Sequence, residues 1–390
     1  MSLSEARMTT TGHMGVEFGA IDVDTHVVES EAVWSHFEDH GHLPRPYLVE
    51  AADPRTGVRR SRWVIDGKLV PKPEGKGAQA VATPPIAGFE TGDAGDVIWA
   101  WRSMEDVEGR MSDSVDRGVS RQIVFPTIFL ADLTSDPLVQ VALARAYNRF
   151  MAERWETANR NFSWVVVPPL RDMSKALDEI EFGRTHGAVG VLFHGLEIDR
   201  SIGDPYFEQV YERAEELDLS ICIHTGPGSP TMLDLQDSRY TRNFGHNRVL
   251  PLIGFHDLVF SGIPERFPSL RFGFLEASAS WVPFLLHFLR RASRRSGRDP
   301  QFYGQEMFRE YRIYVACEAD EDLPYLGECI GWDNLLIGSD YGHTDQSAEL
   351  DIVQKLENRS DLAQSARDKI LITNPTRFYG LGDLQTRKTR

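Results

Sequence analysis

Residues 188–225 read AVGVLFHGLEIDRSIGDPYFEQVYERAEELDLSICIHT. Two short apolar, β-branched runs, AVGVLFH (188–194) and LSICIHT (219–225), flank a segment that opens on Asp204-Pro205 and places apolar residues at helical spacing among Glu and Arg. This is a strand, a helix and a second strand, the repeating unit of a parallel sheet, whose neighbouring strands need a crossover long enough to reverse the chain. Each strand closes on a histidine, His194 and His224.

The unit recurs in both directions. Upstream stand AIDVDTH (20–26), RQIVFPT (121–127) and SWVVVPP (163–169); downstream stand LRFGFLE (270–276), RIYVACE (312–318) and NLLIGSD (334–340). Between them the spacing predicts helices over 137–159, 172–185, 204–217, 249–261 and 281–292. Eight strand–helix alternations predict an α/β fold, a (β/α)8 TIM barrel with a long insertion after strand 1, and a doubly wound sheet is the alternative. The expected organisation is a flexible leader over 1–19, the barrel over 20–380 with 35–100 as a cap-like insertion, and a tail over 381–390. In the insertion, SRWVIDGKLVPK (61–72) reads as a hairpin about Asp66-Gly67, and a single helix is expected to contain Trp99, Trp101 and residues 104–117. A surface elaboration is the plain reading of this excursion; a lid over the site is the functional one.

Composition narrows the function classes. Lys and Arg number 42 and Asp and Glu 58, so the chain of 390 residues carries a formal charge of −16. Phosphate neutralisation needs a basic surface, which argues against nucleic-acid binding. At 41% hydrophobic the chain has ample material for a core. Three cysteines, Cys222, Cys317 and Cys329, make no disulfide framework. No apolar run approaches the ~20 residues of a membrane helix. The expectation is a cytoplasmic protein with a small-molecule substrate and no membrane partner. A homodimer is a further possibility, carried by Phe284, Leu285 and Phe288 on the 281–292 helix.

In a barrel, polar residues at the C-terminal strand ends are where chemistry sits. Strand one ends in Asp24-Thr25-His26, whose i, i+2 spacing puts both side chains on one face. The later strands supply His194, His224, Glu276, Glu318 and Asp340, with His343 three residues on. Ionisable groups crowded into a desolvated mouth need a cation, which makes a divalent metal site the economical reading. Each residue also has a structural reading: Asp24 and Asp340 as turn caps, Glu318 as the partner of a basic side chain, His194 as a hydrogen-bonded core histidine or a substrate contact, His343 as a loop hydrogen-bonder. Glu29 reads as a structural partner, and Arg242 and Arg248 as surface cations or carboxylate binders. Trp63, Trp99, Trp101 and Phe129 read as pocket lining or as packing.

The D-x-H after strand one, FHGLE (193–197), ICIHTG (221–226), ERFPSLRFGFLEASASWVPFLL (265–286) and IGSDYGH (337–343) together resemble the amidohydrolase-2 branch of the metal-dependent hydrolases, which includes aminocarboxymuconate semialdehyde decarboxylase. The resemblance runs from about residue 21 to residue 379. It implies a barrel with a divalent metal held at the positions of Asp24, His26, His224 and Asp340. Asp340 would then accept a proton, with Glu276 or His343 shuttling it. In the decarboxylases of the branch a histidine stands where this chain has Glu276, so decarboxylation through that histidine is not implied here. Asp24, Glu276 and Asp340 carry −3, and Glu318 would make it −4, so one or two divalent ions would balance the site; mixed N/O ligation suits Zn, Mn or Fe. Glu276, His194 and Glu318 are the further candidate ligands. Metal-activated hydrolysis or decarboxylation is the leading expectation, and a nonheme diiron oxygenase on the same barrel is the alternative.

Overall fold

The computed structural model describes residues 19–38, 43–52, 57, 59–78, 81–85, 97–235, 237, 248–297, 299–344 and 346–384. Eight of its strands form one parallel sheet. In chain order they are β1 (Ala20–Val27), β5 (Val119–Pro126), β6 (Ser163–Val166), β7 (Ala188–His194), β10 (Ser220–His224), β11 (Phe272–Leu275), β12 (Ile313–Cys317) and β13 (Leu335–Ile337). Order in the sheet follows order in the chain, as in a TIM barrel. Every residue of β1, β7, β10 and β11 is buried. Burial on both faces is why β7, β10 and β11 read as near-continuous apolar runs, whereas β1 alternates apolar residues with Asp22, Asp24 and His26.

The first and last strands meet through their ends. Asp340 N donates to Asp24 O at 3.0 Å and His26 N to Tyr341 O at 2.6 Å. Gly338 permits this approach, since a Cβ there would stand 2.4 Å from the Asp24 Cβ. Asp22 ties the seam from the side: its Oδ1 accepts Ser339 N at 2.9 Å, and its Oδ2 accepts the Ser339 hydroxyl.

Helices cover the barrel close to their expected bounds. One spans Pro137–Thr157, opening on Asp136, which accepts from Leu138 N at 2.8 Å. Others span Met173–Thr185, Val249–Ser261 and Val282–Ser296. The 204–217 segment begins as a 3-10 turn, Pro205–Phe207, and becomes helical over Glu208–Glu216. The single helix expected around Trp99–Arg117 is in fact two, Trp99–Arg102 and Val107–Asp116. Met104 breaks it at φ 57°, and Asp106 starts the second helix by accepting Gly109 N and Trp101 Nε1.

Within the insertion, β2 (Tyr47–Ala52), β3 (Arg59–Ile65) and β4 (Lys68–Val70) form an antiparallel sheet. Asp66 and Gly67, both at positive φ, make the tight turn between β3 and β4. Asp66 accepts from Thr134, in the loop after β5, at 2.8 Å, so this sheet touches the C-terminal face of the barrel. Two minor strands, β8 (Leu196–Glu197) and β9 (Arg200–Ser201), follow β7. Phe284 and Phe288 are exposed on the Val282–Ser296 helix. No described helix is long and apolar enough to cross a membrane.

Candidate metal centre

Six of the eight strand-end residues converge at the barrel mouth. His26 Nε2 lies 3.3 Å from Asp24 Oδ1, 3.4 Å from Asp340 Oδ1 and 3.7 Å from Glu276 Oε2. His224 Nε2 lies 3.3 Å from Asp24 Oδ2 and 3.3 Å from Glu276 Oε2. His343 stacks on His26, ring centres 3.9 Å apart, and its Nδ1 is 2.7 Å from Asp340 Oδ1. Two overlapping tetrads result, Asp24–His26–His224–Glu276 and His26–Glu276–Asp340–His343.

The backbone aims these groups. Glu276 and Asp340 both sit at positive φ, 49° and 55°, a conformation non-glycine residues adopt at a cost, here turning each carboxylate back over its strand end. Both ligand-candidate imidazoles are held from behind. Pro126 O stands 2.8 Å from His26 Nδ1 and Thr225 O stands 2.7 Å from His224 Nδ1. A carbonyl only accepts, so in each neutral ring Nδ1 carries the hydrogen and the Nε2 lone pair faces the cluster. Arg110, buried, donates to His26 O at 2.8 Å and to Gln122 at 2.7 Å, fixing the end of β1. Glu29 accepts Thr127 N and Ile128 N at 2.9 and 3.0 Å.

The electrostatics favour a cation. Burial alone would raise the Asp24 carboxyl, but the His224 and His26 imidazoles hold it well below the usual carboxylate range. Burial likewise works against a charged His26, yet Asp24, Glu276 and Asp340 raise it well above the ordinary imidazole value. His343 is driven the other way, down by burial and then by the facing His26 and His224. Burial lifts Asp22 and Glu29 to about 7, against the hydrogen bonds each accepts.

The residues fit a divalent ion. Two donor atoms bound to one ion at ~2.1 Å stand about 3.0–3.4 Å apart at octahedral or tetrahedral angles, and four of the five Nε2–carboxylate separations, 3.3–3.4 Å, fall in that range, with His26–Glu276 at 3.7 Å beyond it. His26 Nε2 and Glu276 Oε2 are buried without a hydrogen bond, and the donor set is oxygen and imidazole nitrogen, which suits Zn, Mn or Fe.

Two candidates lie outside the tetrads. His194 is beside His224 in register across β7 and β10, but its Nδ1 is held by Glu197 Oε1 at 2.8 Å and the residue borders a separate cavity. Glu318 lies at the rim of the mouth with its side chain 42% exposed, 4.0 Å from Arg248. Arg248, read from sequence as a surface cation or a carboxylate binder, reaches into the mouth and donates to Glu276 O and Ser347 Oγ. Arg242 lies outside the described residues. Trp63 is buried against Trp34, ring centres 5.6 Å apart, so it packs in the core. Sequence reasoning missed Thr127, Arg110 and Asp22. Asp22 left a signal as the first member of the alternation Asp22–Asp24–His26, and Thr127 as the polar residue that ends RQIVFPT (121–127); Arg110 left none.

An eight-stranded parallel barrel with imidazoles and carboxylates converging at its C-terminal mouth is the architecture of the metal-dependent α/β-barrel enzymes. The chain belongs to the amidohydrolase family Amidohydro_2, whose profile matches residues 21–381. Among solved structures it is similar to an amidohydrolase from Mycobacterium avium subsp. paratuberculosis, at 19% identity over 94% of this chain and 100% of that one, TM-score 0.68. It is also similar to 5-carboxyvanillate decarboxylase from Novosphingobium aromaticivorans, solved with manganese, at 16% identity over 95% and 99%, TM-score 0.61. A third is 4-oxalomesaconate hydratase from Rhodopseudomonas palustris, at 13% identity over 95% and 98%, TM-score 0.60. These likenesses establish the shared fold. A search of curated proteins gives no match.

Proposed function

We propose that this chain is a metal-dependent hydrolase or carboxy-lyase acting on a small organic substrate, carboxylated or cyclic. The observation that carries the reading is the convergence of Asp24, His26, His224, Glu276 and Asp340, with both imidazole Nε2 lone pairs turned inward by carbonyls behind them. Those five residues would hold the ion. When bound, a divalent ion there supplies Lewis acidity and lowers the pKa of water toward ~7.

The remaining chemistry belongs to the chain. Asp340 Oδ1 would accept a proton, and His343, 2.7 Å away, would relay it. Arg248, anchored to Glu276 O, puts a guanidinium at the mouth, where a substrate carboxylate would find a fork of donors. Glu276 contributes a charge and a proton acceptor where the branch's decarboxylases carry an imidazole. The manganese-containing relative acts, by its name, on a carboxylated aromatic, which supports trying such compounds first. The sheet of β2, β3 and β4, touching the loop after β5, is read as a lid over this mouth.

A second reading is favoured by one observation: the two tetrads share Glu276, a carboxylate that could serve two adjacent ions, whereas His26, with Nε2 alone free, would serve one. On that reading the chain is a diiron oxygenase. Elemental analysis of anaerobically purified protein, with activity assayed after chelation and divalent-ion return, tests both. One Zn or Mn per chain with chelator-sensitive, oxygen-independent turnover supports the first; two Fe per chain with oxygen uptake supports the second. Full turnover in metal-free protein would end both.

A further inference from the structure

The loop that carries Glu276 is held by a residue outside the metal tetrads. Glu276 follows β11 at φ 49°, and Ser278, two residues on, is again at positive φ, 56°. Such conformations cost a non-glycine residue free energy and persist where the surroundings over-determine them. Glu276 Oε2, the oxygen that faces His26 and His224, is buried and makes no hydrogen bond, so the course of the loop sets where it points.

A single carboxylate from the loop after the next strand supplies that constraint. Glu321 Oε1 accepts Ser280 N at 2.7 Å, Ala279 N at 3.0 Å and the Ser280 hydroxyl. Its Oε2 also lies 3.0 Å from Ala279 N and accepts Glu318 N at 2.8 Å, where the chain leaves β12. One side chain thus ties the residues following β11 to those following β12. Glu321 is itself fixed. Arg359 Nη1 donates to Glu321 O at 3.0 Å and to Ala319 O at 2.6 Å, while its other nitrogens fork onto Asp361 at 2.8 and 2.7 Å. The carbonyls of the Glu276 loop have different partners: Arg248 donates to Glu276 O, and Trp281 Nε1 to Ser278 O at 2.8 Å.

We propose that Glu321 is the positioning residue for Glu276, keeping the loop in the conformation that turns the Glu276 carboxylate over the barrel mouth. A cap for the Val282–Ser296 helix is the plainer role for a carboxylate at this place. A cap serves its own helix, however, whereas Glu321 Oε2 also takes Glu318 N, which belongs to the end of a neighbouring strand. An ionised carboxylate only accepts, and here it meets three backbone N–H groups and one hydroxyl, so no other side chain of this size replaces it in full. The effect on metal affinity rests on the functional reading above; the placement of Glu276 does not.

Crystal structures and Mn(II) titrations of the whole chain, wild type and variants, test it. In metal-free crystals of Glu321→Ala the Glu276 carboxylate should be withdrawn from His224 Nε2. Mn(II) binding by the same variant should be weaker by roughly tenfold or more, the size of effect seen when a group behind a metal ligand is lost. Glu321→Gln keeps one acceptor oxygen and turns an amide nitrogen on the remaining N–H; it should show both effects in smaller degree, and it carries the test if the alanine variant does not fold. In a Glu276→Ala background the Glu321 substitutions should change Mn(II) affinity less than twofold, because their effect runs through Glu276. An equal loss of affinity in that background would be general loosening and overturns the proposal, as does Glu276 unmoved in both variants. A displaced Glu276 in the variants of a wild type that takes up no Mn(II) would keep the positioning role and remove the metal centre. Mn(II) uptake by wild type, with Glu276 unmoved in the variants, would overturn the positioning role alone.

Discussion

His343 Nδ1 lies 2.7 Å from Asp340 Oδ1, while its Nε2 lies 2.9 Å from Thr127 Oγ1. Burial and the facing imidazoles keep His343 neutral, so one ring hydrogen serves two partners. The Thr127 hydroxyl also reaches Val27 O at 2.8 Å. When it donates there, it accepts from His343 Nε2–H; when it turns to donate to Nε2, the hydrogen sits on Nδ1 and faces Asp340. The direction of one hydroxyl is thus coupled to the His343 tautomer, a switch that sets whether Nδ1 holds the hydrogen beside Asp340.

Thr127→Val keeps the shape and removes the switch. The expected outcome is a ten- to hundredfold fall in kcat, the size seen when a partner behind a site residue is lost, with an altered pH–rate profile and unchanged metal content. Thr127→Ser should restore most of the rate. A Val variant with wild-type kcat and pH profile would show that proton movement ends at Asp340.

Asp22 braces the seam on which Asp24 and Asp340 face each other, accepting Ser339 N, the Ser339 hydroxyl and, at 3.3 Å, Asp24 N. Asp22→Ala leaves buried backbone donors without an acceptor, a loss of about 1–3 kcal/mol in denaturant unfolding. Metal affinity should fall together with stability, because both facing carboxylates lose their support. Asp22→Asn retains one acceptor oxygen for the backbone donors and should recover most of both. If the Ala variant binds Mn(II) as tightly as wild type, the seam is stiff without Asp22.

Most of the barrel strands were legible because parallel strands buried on both faces are short runs of Val, Ile, Leu and Phe, and β1 was legible by its alternation of apolar and ionisable residues. The strand-end rule then picked out Asp24, His26, His224, Glu276 and Asp340 without any contact information. What the rule could not resolve was direction. His194 ends its strand as His224 does, in the same register, yet Glu197 three residues later draws its Nδ1 aside. The roles of Thr127 and Arg110 were hidden for another reason. Their partners, His343 and the His26 carbonyl, are 216 and 84 residues away in the chain, and a threonine or arginine carries no mark of which distant group it will meet.

Glu29 gives the stability a pH signature of defined sign. Burial raises its carboxyl from the ordinary 4.5 to about 7, even though it accepts Thr127 N and Ile128 N. Between those two values the folded chain binds a proton that the unfolded chain has released, so the stability Glu29 contributes is complete below about 4.5 and declines as pH rises through about 7. The steepest decline is about 1.4 kcal/mol per pH unit. Glu29→Gln cannot titrate. Its amide nitrogen meets one of the two backbone N–H groups, so the variant should be less stable than wild type by about 1–3 kcal/mol at pH 5. The gap should narrow as pH rises, because only wild type loses the proton's contribution. Urea unfolding of both proteins at pH 5 and pH 7.5 reads this directly. A gap that is constant or widens across that interval would mean that Glu29 is ionised throughout and that its two backbone hydrogen bonds outweigh its burial.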